Sequence, residues 1–153
     1  MTAIYSYQKV STPYTVIQAV LPDSAVVNDE LHCTELCTLG SITYLSVPDG
    51  VTLSEQPTEI ELKPVTLSPE LREQIKAASP HAQLISERMI QKIRAQYSID
   101  DEMYFARIGV GAANGMYTPT AGEMADMQAF GQFVEGVRQW GREERAKLGL
   151  DGK

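Results

Sequence analysis

The sequence predicts an α+β protein with a β-rich N-terminal half of antiparallel strands and a helical C-terminal half of three to four helices. In the first half, β-branched and aromatic residues alternate with polar ones, which is typical of strands. From Ser68 onward, capping residues open segments whose apolar residues recur every three to four positions. The predicted segments are 1–66 (β-rich) and 67–153 (helical), and 153 residues are few enough for both to share one core.

The strand pattern is carried by separate stretches of the first half. "AIYSYQKV" and "YTVIQAVL" are separated by Pro13, and "SITYLSV" alternates before a "PDG" turn. In "TEIELKPV", Ile60 and Leu62 lie on one side of a predicted half-buried strand. Pro57 and Pro64 bracket it and indicate an edge position, because proline donates no hydrogen bond to a ladder. "PDSAVVNDELHCTELCTLG" fits one or two more short strands.

Serine caps mark the starts of the first helices. Ser68 in "SPELREQIKAA" and Ser79 in "SPHAQLISERMIQKIRAQY" each precede a proline at the first helical position. The second of these helices has an apolar stripe formed by Ile85, Met89, Ile93 and Tyr97. In "SIDDEMYFARIG", Ser98 and Asp101 form a capping-box pattern, and we expect that helix to stop at Gly109.

A fourth helix is predicted from about Thr120, where Glu123 completes a second capping box, to Gly149. Its roughly 27 residues would span about 40 Å. The side chains expected to form its buried stripe are Met124, Met127, Phe130, Val134, Val137 and Trp140. Core packing explains this stripe, but Phe133 and Trp140 widen it, which leaves open a second face that contacts another subunit.

The stretch "GVGAANG", residues 109–115, has the glycine spacing of a dinucleotide-binding loop. Such a loop runs from a strand to a helix N-terminus, whose amides bind the pyrophosphate. Here the preceding stretch is helical and the following "MYTPT" is extended. We therefore interpret it as a connection between two helices, with no cofactor. "GVGAANGMYT" is longer than most such connections, so a loop that contacts a partner is an alternative.

Catalytic and metal-binding side chains form no known pattern. His32, Cys33 and Cys37 are metal-ligand types, but they lack the paired C-x-x-C spacing of structural zinc sites. The two cysteines are expected to be free thiols. One of them with His81 leaves a small thiol enzyme as an alternative. We predict no catalytic residue, no metal and no cofactor, hence no enzyme.

The charge balance and the residue types favour protein partners. A formal net charge of −7 repels phosphate backbones, so nucleic acid is disfavoured, and no stretch is long and apolar enough for a membrane span. Aromatic residues, methionine and arginine are the types that anchor interfaces. The interface candidates are Met116, Tyr117, Phe133, Arg138, Trp140 and Arg142.

The stretches "AASPHAQLISERMIQKIRAQYSIDDE" and "FGQFVEGVRQWGREERAKLGL" resemble the C-terminal part of small proteins of tailed phages and prophages, whose genes lie near tail or baseplate genes. The resemblance spans roughly residues 77–150, and the intervening "IGVGAANGMYTPTAGEMADM" is longer than in that pattern. It implies a structural or accessory virion protein, made in the host cytoplasm, in an oligomeric assembly with other tail or baseplate proteins. A tail or tail-fibre assembly chaperone, absent from the mature virion, is the alternative. No catalytic residue carries over.

Overall fold

The computed structural model describes residues 2–22 and 32–151, and it confirms the predicted α+β class. The strands are β1 (Ala3–Gln8), β2 (Val10–Ser11), β3 (Val16–Ile17), β4 (Thr34–Leu39), β5 (Ile42–Val47) and β6 (Lys63–Val65). The helices are α1 (Pro69–Ala78), α2 (Pro80–Gln96), α3 (Ile99–Ala113) and α4 (Ala121–Lys147). All strand pairs are antiparallel.

The chain divides into two compact units. The first contains the strands and α1, with the described residues up to Ile85 and from Glu143 onward. The second is Ser86–Arg142, which includes all of α3. Because α2 and α4 each contribute residues to both units, the units do not coincide with the change from strands to helices after residue 66.

The first unit is built on a four-stranded sheet in the order β4-β5-β1-β6. Strand β5 is central, and five of its six residues are buried. Both faces of the sheet are therefore covered. One face packs in a cluster containing Ile4, Leu36, Cys37, Tyr44, Ile75, Ala82 and Leu150. The other packs in a cluster of Tyr7, Leu45 and Ile60, with partly buried side chains around it.

Two strand predictions in this unit were too long. The predicted edge strand "TEIELKPV" is reduced to β6, because a turn in which the Ile60 amide donates to the Pro57 carbonyl (3.0 Å) occupies its first half. The edge position itself is confirmed, with Pro64 paired to Tyr5 of β1. "YTVIQAVL" forms only β3, which pairs with β2. The predicted strands in "PDSAVVNDELHCTELCTLG" are represented by β4, and residues 23–31 lie outside the described residues.

The predicted helix caps are confirmed. The Ser68 hydroxyl accepts a hydrogen bond from the Leu71 amide (3.2 Å) at the start of α1. Ser98 and Asp101 make both bonds of a capping box, at 3.0 and 2.8 Å. Each cap satisfies amides that have no partner inside the helix. These side-chain contacts fix where α1 and α3 begin.

The C-terminal end of α4 is anchored in the first unit. Gly149 has a φ of +71°, and the Leu150 amide donates to the Arg145 carbonyl (3.0 Å), which closes the helix in a Schellman-type turn. Leu150 is fully buried in the same cluster as Ile4. The residue that follows this turn therefore contributes to the core of the first unit.

Two helix predictions were wrong in detail. Helix α3 passes through Gly109 and ends at Ala113, because the left-handed φ that reverses the chain occurs at Gly115 (+69°) and not at Gly109. A Cβ added to Gly109 would sit 3.4 Å from the Met127 methyl group of α4. Met124 is 60% exposed, so the buried stripe of α4 does not include its first turn. The stripe is most buried at Val137.

Candidate protein-contact surface

The second unit is held together by an aromatic cluster, which consists of Tyr97, Phe105, Phe130 and Phe133. The Tyr97 ring meets Phe130 and Phe133 edge to face, with centroids 5.0 and 5.6 Å apart, and Phe105 lies 5.2 Å from Phe130. Such pairs stabilise beyond their area burial by about 0.5–1.5 kcal/mol each. Phe133, an interface candidate, therefore has a structural role in this unit, and only part of its ring faces outward.

The connection between α3 and α4, residues 114–120, is called the tip. The amides of Met116 and Tyr117 both donate to the Gly111 carbonyl, at 2.9 and 3.1 Å. A Cβ on Gly111 would lie 3.1 Å from the Tyr117 Cβ, so the glycine allows the two backbones to approach closely. Gly115 has a φ of +69° and reverses the chain. The glycines of "GVGAANG" thus shape the end of α3 and a turn.

The Glu123 carboxylate fixes the tip to α4. It accepts hydrogen bonds from the Thr120 amide (2.9 Å), the Tyr117 hydroxyl (2.9 Å to each oxygen) and the Tyr104 hydroxyl (3.2 Å). The Thr120 amide is the main cause that lowers the pKa of Glu123, and the bond to Glu123 is the main cause that raises the pKa of Tyr117. At neutral pH the carboxylate is therefore ionised and the phenol protonated, which suits a structural anchor.

The most exposed interface candidate lies on this anchored backbone. The Met116 side chain is 85% exposed, and Tyr117 next to it is 45% exposed. Burying an exposed apolar side chain against a partner has a favourable free energy. Because the backbone of the turn is already ordered, it loses little conformational entropy on binding. The tip therefore presents exposed apolar surface on an ordered backbone.

A second candidate contact surface is a shallow apolar recess of about 430 Å³ between α2 and α4 in the second unit. The Lys92 ammonium lies 4.6 Å from the centre of the Trp140 ring, a cation–π contact at its border. Its lining is formed by Lys92, Ala95, Phe133, Gly136, Val137 and Trp140. Nothing lies within 4 Å of a Cβ built on Gly136, so the recess is open at that point.

The two arginine candidates lie on α4 near the recess-lining residues. Arg142 donates to Glu135 and, through Nε, to Gln139 (3.2 Å), so its guanidinium is held against its own helix. Arg138 is exposed. The six candidates thus fall into three groups: Met116 and Tyr117 at the tip, Phe133 and Trp140 at the recess, and the arginines on α4.

Both thiols of the first unit lie in surroundings that favour their protonated form. Cys37 is buried, Cys33 is half-buried, and burial raises the pKa of both thiols above the ordinary value. Among the described residues, His81 is exposed and makes no side-chain hydrogen bond. A thiol with a raised pKa carries little thiolate at neutral pH and is a poor nucleophile.

We expect both thiols to react with a maleimide or disulfide reagent at pH 7 more slowly than a free cysteine peptide, and to react at the peptide's rate in denaturant. The physical reason is that burial disfavours the thiolate in the folded state. Cys33→Ser and Cys37→Ser variants assign the two rates. A thiol that reacts faster than the peptide would contradict this reading and support the thiol-enzyme alternative.

Within the ranges 2–22 and 32–151, no group of three or more His, Cys, Asp or Glu side chains is placed to hold a metal ion. No helix in those ranges combines the length and apolar character needed to cross a bilayer. Sequence reasoning identified the Thr120–Glu123 cap but missed the contribution of Tyr104, whose hydroxyl reaches Glu123 only when α3 and α4 pack together.

Comparison of the chain with protein-family models, with curated proteins and with solved structures gives no significant match.

Proposed function

We propose that this protein is a structural or accessory protein of a phage tail or baseplate and acts through protein–protein contacts at the tip. The proposal has no catalytic step and needs no cofactor. The observation that carries it is the Met116 side chain, 85% exposed on a backbone that the Glu123 network holds in place. The assignment to a tail or baseplate is supported by the sequence resemblance over residues 77–150.

The tip lies outside the two stretches that carry the resemblance, so its proposed role rests on its structure. The tip lies in "IGVGAANGMYTPTAGEMADM", the segment that is longer here than in the resembling proteins. A loop on a helical scaffold is a common place for partner recognition, because loops vary without disturbing the core. The recess beside Trp140 provides a second place where a partner's apolar side chain would lose water.

The proposal is tested with purified particles of the phage that encodes the chain. Quantitative mass spectrometry should find the protein at a fixed copy number per particle. Met116→Asp places a charge at the proposed contact and should lower incorporation about tenfold or more, because an unpaired charge buried in an interface costs several kcal/mol. Leu84→Asp, at an exposed leucine of α2 in the first unit, is the control and should leave incorporation unchanged.

The possible outcomes separate the candidate functions. A protein that is absent from particles but co-purifies with a tail or fibre protein before assembly acts as an assembly chaperone, and the structural proposal is then wrong. A protein that does neither contradicts both. A wild-type level of incorporation for Met116→Asp would show that the tip is not the contact.

A further inference from the structure

One face of α3 carries an apolar stripe that none of the described residues covers. Ile99, Met103 and Val110 are 56–61% exposed, and Ala106 between them is also exposed. Their spacing of four, three and four residues is that of a coiled-coil seam, in which such residues lie in one line along the helix. The spacing of these residues can be read from the sequence, but their exposure to solvent cannot.

This stripe is not the packing face of α3. Ile108 is the buried residue of the helix, and Phe105 joins the aromatic cluster. At 100° per residue, both point well away from the line through Met103 and Ala106. Helix α3 therefore has one face packed inside the second unit and a second apolar face in water. Burying that second face is favourable.

The charged residues beside the stripe can pair with the oppositely charged residues of a second copy in one orientation of the two helices. Asp100 and Arg107 follow Ile99 and Ala106 and lie on the same side of the stripe. If two α3 helices pair antiparallel with Met103 opposite Ala106 of the second copy, Asp100 of each copy lies near Arg107 of the other. Within the described part of the chain, neither side chain makes an ion pair or hydrogen bond that would compete.

The parallel orientation is disfavoured by the same residues. The first turn of α3 is acidic, with Asp100, Asp101 and Glu102, and a parallel pair would place these carboxylates together. An antiparallel pair places them beside the C-terminal half of the other helix, which has Arg107 and no acid. Antiparallel helix dipoles also attract each other.

From the apolar stripe and the charges beside it, we infer that two copies of this chain associate through α3, antiparallel, with Ile99, Met103, Ala106 and Val110 as the seam. This contact is separate from the tip and does not depend on the proposed function. The seam from Ile99 to Val110 is about 17 Å long at 1.5 Å per residue. It buries less than the 1,200 Å² or so of a stable interface, so the isolated dimer is weak, populated at about 0.1–1 mM protein.

The test is a charge exchange followed by sedimentation equilibrium of the full chain at up to about 1 mM. Asp100→Lys and Arg107→Glu each place like charges opposite each other and should weaken dimerisation about tenfold or more. The double variant restores opposite charges in exchanged positions and should recover the dimer. Circular dichroism checks that each variant remains folded, and Val16→Asp, at an exposed valine of β3, should not change the dimer.

Every outcome of this experiment either supports or overturns the inferred dimer. Loss in both single variants with recovery in the double variant supports it. A monomer at about 1 mM, a dimer that the single variants leave unchanged, or a double variant that stays monomeric overturns it. A dimer that Asp100→Lys strengthens indicates the parallel pair and also overturns it. None of these results changes the particle test at Met116, so failure here and failure of the proposed function are distinguishable.

Discussion

Replacing Leu45 by alanine is expected to lower the free energy of unfolding by about 2–5 kcal/mol, as for other large-to-small substitutions in a closed core. Leu45 lies in the middle of central strand β5, has no exposed surface and packs in the cluster with Tyr7 and Ile60. Because the sheet is covered on this face, the space left by the side chain does not refill with water. Denaturant unfolding followed by circular dichroism measures the change.

Leu84→Ala is the matched control, because it removes the same atoms from an exposed leucine of α2 in the first unit. We expect a change within about 0.5 kcal/mol, since surface substitutions away from special features are nearly neutral. Equal losses at Leu45 and Leu84 would mean that the second face of the sheet is open to solvent, contrary to the burial of Ile60 and Tyr7.

Gly149→Ala is expected to lower the free energy of unfolding by about 2–5 kcal/mol, the sum of a left-handed backbone cost and a crowding cost. The φ of +71° is unfavourable for any residue with a Cβ. A Cβ there would also lie 2.9 Å from the Ile4 Cδ1 and 3.3 Å from the Thr2 carbonyl oxygen. The substitution therefore disturbs both the end of α4 and the start of β1.

Gly50→Ala separates the two costs. Gly50 has a φ of +82°, and nothing lies within 4 Å of a Cβ built on it. We expect a loss of about 1–2 kcal/mol, from the backbone alone. The excess at Gly149 measures how tightly the turn after α4 packs on Thr2 and Ile4. Equal losses at the two glycines would show that those neighbours move aside at no cost.

Local features of the fold were predictable from the sequence because they depend on a few neighbouring residues. The caps at Ser68, Ser98 and Thr120 each involve a side chain and an amide three residues away, so spacing alone predicts them. Gly149 after α4 is a signal of the same kind. The "GVGAANG" interpretation as a helix–helix connection also came from local context, although α3 runs four residues further than expected.

The candidate surface was less predictable. The predicted stripe of α4 joined Met124 to Val137 through steps of three and four residues, but at 100° per residue their side chains point about 140° apart. Packing in the second unit buries Val137 and leaves Met124 60% exposed. The converse holds for Gly141, which has no apolar side chain and is nevertheless buried, because Met89 of α2 occupies the space beside it. A helix pattern shows which residues share a face and leaves open whether another element covers that face.

The sequence by itself determined the class of the fold, the starts of its helices and the turn that ends α4, since these follow from contacts within one or two turns of chain. Only the tertiary structure decided that both faces of β5 are covered and that the Tyr104 and Tyr117 hydroxyls both donate hydrogen bonds to Glu123. It also decided that the apolar seam on α3 is exposed to solvent. These depend on residues far apart in the chain, and their free energy comes from packing that no local pattern specifies.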